Sequence, residues 1–583
     1  MRKVFSLATA LIVLLVGLVL LGWWGSKLSY ATVSNHLNEL AQDGLVETYT
    51  EAFHQRIRSN LRSMAGSALV GLLLFLFLRS RFARGKQGMR LPAAQGSFRA
   101  DLAQAWKDLW RRTSASHKQF VLLLILVGVA LRAILLFQPI TYDEAFTFTY
   151  YASRPIHVIV SDYSYPNNHI LHSMLVKCST LILGIGKVSL RLPAFIAGVA
   201  VMPLFYFFVR AMFNRYIALM TLAMVAASGP LLEYSANARG YSLTWLFFTM
   251  ALLLGRHFLK TNVLVSAMLI GVVCALGMWA VPTMLYAVVM IYAWLLMSLV
   301  AMYDTSLRER IWNWVISLGA FVLLTTLLYL PVILVHGFDQ LLHHSTLPER
   351  NWKAFTIEHQ DRALDLWAHV VDSSSFWLAL LGFMGLVHAT FISSKFRFLV
   401  AGMLLGAVPL VLMQAVVAPP RAWLYTLLIF HLSSGIALFY LLKFVQDKLI
   451  PGLGKRSRSV AACLVLLVVF GWPGLQISKL RMAGMPEAHW CAGLVQKNMQ
   501  PGDKLYTDYP WNAPIEFHLM ALGMDRNVLY GPPTPGSRVF VAVGPDYEQT
   551  LESVLAHQAL AVNAFPPFQL IQDRPRLKIF AAP

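Results

Sequence analysis

Apolar stretches of roughly 17 to 22 residues recur along the chain between short polar turns, and that is the length at which a helix crosses a bilayer. By this criterion the pattern predicts about thirteen membrane spans. They fall near residues 4–24, 64–79, 119–138, 190–210, 215–235, 240–256, 262–280, 283–301, 312–334, 373–392, 398–418, 422–443 and 459–477. One apolar segment, Ile170–Ile185, is interrupted by His172, Ser173 and Lys177, and is expected to lie on the outer interface as an amphipathic or re-entrant helix. After roughly Ser478 the pattern shortens. Strand-like runs at Lys504–Tyr506 and Arg538–Val543 alternate with helical stretches near Ala513–Leu522 and Tyr547–His557, predicting a small α/β domain of about 100 residues.

Composition turns this pattern into a class. With 57% hydrophobic and only 13% charged residues over 583 positions, and a mean hydropathy of +0.59, the chain is too apolar for a soluble protein and reads as a polytopic α-helical membrane protein. A net charge of +20 would point to nucleic acid in a soluble chain. Here the Lys and Arg residues cluster in alternate loops, so the charge sets topology and no nucleic-acid partner is implied. The most basic segment, Arg79–Lys118, is expected to be cytoplasmic, as are the turns at Arg210/Arg215, Arg256/Lys260, Arg308/Arg310, Lys395/Arg397 and Lys443–Arg458.

With Ile170–Ile185 left uncrossed, the N-terminus lies inside and the C-terminus outside, in a cell inner (plasma) membrane. The first apolar run ends in Leu21-Gly22-Trp23-Trp24-Gly25 rather than in a small-residue cleavage site, so it reads as an anchor helix. Three regions are therefore expected: an accessory two-helix module with a basic linker over 1–118, a transmembrane domain over 119–477, and an extracytoplasmic α/β domain over 478–583. Cys178, Cys274, Cys463 and Cys491 show no paired spacing, so neither a disulfide framework nor a zinc site is indicated.

The candidate chemistry lies at the outer ends of spans. Asp143-Glu144 follows the run Phe120–Phe137, where a carboxylate has water on one side and a low-dielectric wall on the other, a setting that suits a general base. The stretch Tyr163–Ser173 contributes Tyr163, Asn167, Asn168, His169 and His172. His169, His172 and Ser173 share one helical face that can hold a sugar or a phosphate. The alternative is an Asn-rich helix cap with interfacial histidines. A divalent cation held by the two histidines is left open as a cofactor, and no other cofactor is implied.

The turn Glu233–Ser242 contributes Tyr234, Asn237, Arg239 and Tyr241, and Pro419–Tyr425 contributes Arg421. Arginines in outer loops run against the charge bias and suit bidentate contact with a phosphate, with an ordinary salt bridge as the alternative. An acidic base and outer arginines above a helical bundle fit glycosyl transfer from a lipid-linked phosphate donor.

At these residues the chain also resembles a family. Tyr142-Asp143-Glu144-Ala145, Asn167-Asn168-His169 before a short membrane-parallel helix, Arg191-Leu192-Pro193 and Ala238-Arg239-Gly240-Tyr241 look like the family 39 type of GT-C glycosyltransferases, relatives of protein mannosyltransferases and of the aminoarabinose transferases of lipid A. The resemblance covers roughly 119–443. It implies an inverting transferase that uses a polyprenyl-phosphate sugar, with Asp143 as base, Glu144 orienting it or binding acceptor, and Arg239 and Arg421 on the leaving phosphate. The acceptor is an envelope glycolipid, polysaccharide or protein. A transporter or flippase for lipid-linked saccharides, an envelope-assembly scaffold, and a polymerase or ligase of preassembled glycans remain alternatives. Arg132, inside the span 119–138, is the main intramembrane charge and reads either as functional or as paired or snorkelling within the bundle.

Overall fold

The computed structural model describes residues 2–41, 49–84, 113–301, 307–337, 352–374, 376–449 and 454–583, with isolated positions between 100 and 111. Most of the basic segment Arg79–Lys118 and part of Lys443–Arg458 lie outside the described residues.

Every apolar run expected to span coincides with a helix. Among the described residues, 9 helices are long and apolar enough to cross a membrane, or 10 when the bent pair Arg215–Ala227 and Gly229–Ser235 is taken as one span. Ile12–Gly25, Leu264–Ala280 and Phe376–Ile392 are shorter apolar helices, as is Ile170–Leu183. Several helices depart from the sequence reading, among them Tyr30–Ala41 and Pro486–Asn498, which it does not predict. Glu51–Arg84 begins well before the apolar run at 64–79, and its polar first turns reach the neighbouring chain: Arg58 donates to the Ser26 carbonyl at 2.8 Å and Asn60 to that of Leu334 at 2.9 Å. Trp352–Ser374 is a helix of mixed polarity that no apolar run announces.

The largest core is built between helices Lys187–Met212, Arg215–Ala227, Tyr241–Thr261, Met284–Ala301 and Leu424–Leu449, with Phe205, Phe248, Trp245, Trp294 and Tyr425 buried at its centre. The bend of 59° between Ala227 and Gly229 removes helix hydrogen bonds from carbonyls that have no water to turn to. Arg132, 1% exposed, supplies them. Its guanidinium donates to the carbonyls of Val225 and Ala226 at 3.1 Å each, to its own Gly128 at 3.0 Å, and to Ser235 Oγ at 3.1 Å. Ser478 Oγ donates to the Gly229 carbonyl at 2.9 Å. Helix Trp472–Arg481 approaches the break so closely that a Cβ at Gly474 would lie 2.8 Å from the Ala227 oxygen. The intramembrane arginine is thus paired within the bundle. Arg132→Leu leaves those carbonyls unsatisfied, at about 1–3 kcal/mol for each buried group. The expected result is a clearly lower thermal unfolding midpoint in detergent, with no such loss for the exposed neighbour change Ile134→Leu.

The C-terminal region carries a four-stranded sheet in the order β1-β2-β4-β3, with β1 Lys504–Tyr506, β2 Val539–Val543, β3 Gln569–Asp573 and β4 Lys578–Ala582. β1 and β2 are parallel, and β4 pairs antiparallel with both β2 and β3. The first two strands and the helices Asn512–Ala521 and Leu551–His557 match the pattern read from sequence. β3 and β4 do not announce themselves, because β3 is largely exposed and lacks an apolar face. The helix Asn512–Ala521 packs onto the chain that follows span Ala115–Leu135: Phe517 meets Phe148 edge to face at 5.7 Å, and Ala513 and Phe517 share a core with Ile140, Ala145 and Ala238.

Candidate active site

The chain leaves helix Ala115–Leu135 and turns into a short helix, Tyr142–Thr147, followed by one π-helical turn, Phe148–Ala152. Thr141 caps the short helix in a reciprocal box with Glu144, whose Oε2 accepts from the Thr141 backbone N–H and hydroxyl at 3.0 Å each. This fixes the two adjacent carboxylates in opposite directions.

Glu144 points inward and is 1% exposed. Arg191 grips it in a fork, Nε to Oε1 and Nη2 to Oε2 at 2.7 Å each, and the Ala238 N–H adds a third tie at 2.8 Å to Oε1. Burial opposes its ionisation, but the Arg191 charge and hydrogen bonds, together with the donors at Ala238 and Thr141, hold its carboxyl below the ordinary carboxylate range. The other guanidinium hydrogens of Arg191 reach the carbonyls of Leu135, Leu136, Gln138 and Pro139 at 2.8 to 3.3 Å. One Arg–Glu pair therefore ties the end of the span, the short helix and the 236–241 turn to one another. Arg191 entered the sequence reading only as part of a motif. Its partner lies 47 positions away, and no local periodicity reports such a contact.

Asp143 points outward, with its side chain 45% exposed, 3.3 Å from Nη1 of Arg239, which is itself only 4% exposed. Arg239 Nη2 donates to Asn167 Oδ1 at 3.3 Å. His169 Nδ1 accepts from the Gly240 N–H at 2.9 Å, so this imidazole acts as a neutral acceptor. Its pKa is driven well below the usual range by burial, then by the charges of Arg239, His172 and Arg421. His169, Tyr241 and Tyr234 form an edge-to-face series with centroids 5.2 Å apart at each step. Gly240 is required here by space: a Cβ would sit 2.8 Å from the Ala280 oxygen and 3.2 Å from His169 Cβ.

The remaining candidates divide by what they touch. Asn168 is fully engaged in its own loop, donating to the carbonyls of Ile159 and Asp162 at 2.8 and 2.7 Å and accepting from Ser173 at 3.1 Å. Tyr163 is buried against Ile159, Ile170, Tyr329 and Val332. His172 is fully buried, and neither ring nitrogen has a hydrogen-bond partner. Its pKa falls to about 3, mainly by burial and then by the Arg239 charge, with Glu144 pulling the other way. The buried atoms Asn237 Oδ1 and Arg239 Nη1 likewise lack hydrogen bonds. Arg421 is exposed on the turn Pro420–Trp423, and its charge is felt at His169. Among the described residues, no three His, Cys, Asp or Glu side chains converge as a metal site.

The fold is that of a multi-pass helical membrane protein, and it brings Asp143 and Arg239 together. The chain is similar to the crystal structure of ArnT from Cupriavidus metallidurans in the apo state, with a TM-score of 0.56 and 12% identity over 80% of this chain and 98% of that one. The same protein bound to undecaprenyl phosphate aligns with a TM-score of 0.46 at 13% identity, over 80% of this chain and 98% of that one. The arabinosyltransferase EmbB from Mycobacterium smegmatis aligns with a TM-score of 0.39 at 11% identity, over 81% of this chain and 45% of that one. At 12% identity the likeness to apo ArnT is one of fold alone. No family model matches the sequence, and no curated protein sequence matches it.

Proposed function

We propose that this protein is a membrane glycosyltransferase that moves a sugar from a polyprenyl-phosphate donor to an envelope acceptor on the outer face of the cell membrane. The observation that carries this reading is the exposed Asp143 carboxylate 3.3 Å from the buried Arg239 guanidinium, set on a fold shared with ArnT. Arg239, with Asn167 and the outlying Arg421, holds the donor phosphate. The free hydrogen-bonding capacity of Arg239 Nη1 and Asn237 Oδ1 is what such a ligand would use.

In the reaction the acceptor hydroxyl forms a bond to the anomeric carbon from the face opposite the phosphate, and the bond from that carbon to the phosphate oxygen breaks. The released pair of electrons leaves with polyprenyl phosphate, and the hydroxyl proton passes to Asp143. Configuration at the anomeric carbon inverts. Arg239 stabilises the charge that grows on the leaving phosphate. Glu144, saturated by Arg191, Ala238 and Thr141, positions the loop that carries Asp143. The N-terminus is cytoplasmic and the C-terminal sheet extracytoplasmic, and the first two apolar helices, within Arg2–Gly25 and Glu51–Arg84, form an accessory module.

The test is release of polyprenyl phosphate from radiolabelled polyprenyl-phosphate sugars by the purified full-length protein. Arg239→Gln is expected to lower kcat/KM for the donor by about two orders of magnitude, the scale of losing one charge-assisted contact to a transition-state oxyanion. Absence of release with every donor would overturn the reading and return weight to a lipid-linked saccharide transporter or a scaffold.

A further inference from the structure

The short helix that presents Asp143 and the π-helical turn that continues it carry aromatic residues at 142, 146 and 150, spaced by four and so on one face. They stack in series: Tyr142 on Phe146 at 5.8 Å with planes 23° apart, and Phe146 on Tyr150 at 5.2 Å and 12°. Tyr165, from the loop before helix Ile170–Leu183, stands edge-on to both Phe146 and Tyr150 at 5.3 Å. Tyr509, from the C-terminal region, stands edge-on to Tyr142 at 4.9 Å. Arg154 closes the far end over the Tyr150 ring at 5.1 Å. Five rings from three separate segments thus make one continuous ledge that starts beside the Asp143 carboxylate.

The ledge is open and fixed at once. Tyr165 and Tyr509 are 42% and 62% exposed. The backbone under Tyr509 is nevertheless held by Gln549, which donates to its carbonyl at 2.7 Å, and by Asp508, which accepts its N–H at 2.7 Å. Tyr142 is drawn into the same cluster: its pKa is pushed up to about 12 by burial first, then by Tyr509, Asp143 and Tyr165.

We infer that Tyr142, Phe146, Tyr150, Tyr165 and Tyr509 form the acceptor subsite, and that the acceptor presents a saccharide ring to it. This rests on the proposed glycosyl transfer. Aromatic faces are electron-rich, and the axial C–H groups of a pyranose offer a complementary, weakly positive face. Phenol hydroxyls along the ledge and the Arg154 guanidinium at its end bind the sugar's own hydroxyls. Continuity with Asp143 selects this occupant over a lipid tail, because a ring seated on Tyr142 brings a hydroxyl to the carboxylate that takes its proton. The C-terminal region then completes the site, since Tyr509 is its outermost ring.

The experiment measures binding without donor, so that it does not depend on turnover. Full-length protein in detergent, fluorescently labelled, is applied to a printed array of hexose, deoxyhexose, N-acetylhexosamine and pentose oligosaccharides. Wild type is expected to bind a subset. Tyr165→Leu with Tyr509→Leu should weaken that binding at least tenfold, while Tyr165→Phe with Tyr509→Phe retains most of it. All forms should share one thermal unfolding midpoint, because both rings are exposed. No glycan bound by wild type, or equal binding by the Leu pair, overturns the inference. Selective loss of binding to vesicles of anionic phospholipid in the Leu pair, with glycan binding unchanged, overturns it in favour of a membrane anchor. Glycan binding that depends on the ledge, in a protein that releases no polyprenyl phosphate from any donor, would instead remove the transferase reading and leave a saccharide-binding surface.

Discussion

Asp143→Asn is expected to abolish release of polyprenyl phosphate, with kcat lowered by about 10²–10⁴-fold and folding intact. The size follows from the role. An amide fills the same space beside Arg239, but it cannot take the proton that the acceptor hydroxyl sheds as the new bond forms. Retained folding follows from the surroundings, because the side chain is 45% exposed and its described ion pair is a single contact of 3.3 Å with Arg239. Product release by purified wild type and variant, read beside their unfolding midpoints, separates the two effects. Turnover by a folded Asp143→Asn protein at the wild-type rate would remove the base assignment.

The largest loss of stability should come from the neighbouring pair. Arg191→Met strands Glu144 as a buried, unpaired carboxylate and frees the carbonyls of Leu135, Leu136, Gln138 and Pro139. Removing one partner of a buried ion pair costs about 3–5 kcal/mol, and the lost carbonyl contacts add to it. The expected outcome is poor recovery of folded protein from the membrane. Arg191→Met combined with Glu144→Leu should recover part of the loss, since no charge is then left unpaired, but not all of it, because the carbonyls stay unserved. Recovery no better than in the single variant would show that the carbonyl contacts alone matter.

Acid dependence gives the same pair a signature. The folded-state pKa of Glu144 is depressed below its unfolded value. Its stabilising contribution is therefore fully present above the ordinary carboxylate pKa of about 4.3 and fades as pH falls through the lower, folded value. Unfolding midpoints measured against pH should show that acid limb in wild type and a flatter one in Glu144→Gln.

The two acidic residues show how far the sequence could go. Position at the mouth of a span, and resemblance, marked Asp143-Glu144 together as the chemical pair. Nothing in a dipeptide tells which member faces solvent. That division comes from Arg191 and the Ala238 N–H, which arrive from 47 and 94 positions away and turn Glu144 inward. The Asn167-Asn168 pair divides in the same way, one amide toward Arg239 and the other folded into its own loop. Arg132 stood out as an intramembrane charge, but its purpose was not legible, because the bend it caps is visible only once Gly229 and Gly474 are seen in contact. Tyr509 gave no signal, since an exposed tyrosine in a turn gains meaning only from the ring it meets.

By itself the sequence determined that this is a helical membrane protein, where its apolar segments lie, the start of its C-terminal sheet, and the loops that carry the acidic and basic candidates. Those follow from hydrocarbon length, composition and local periodicity, which act over one or two turns of chain. The tertiary structure alone decided which carboxylate is buried and which is half-exposed, which arginine pairs with each, and that the C-terminal region packs onto the loop that carries them. Each of those outcomes depends on contacts between residues distant in the chain, and it is such contacts, rather than local sequence, that set the burial and pairing of a charge.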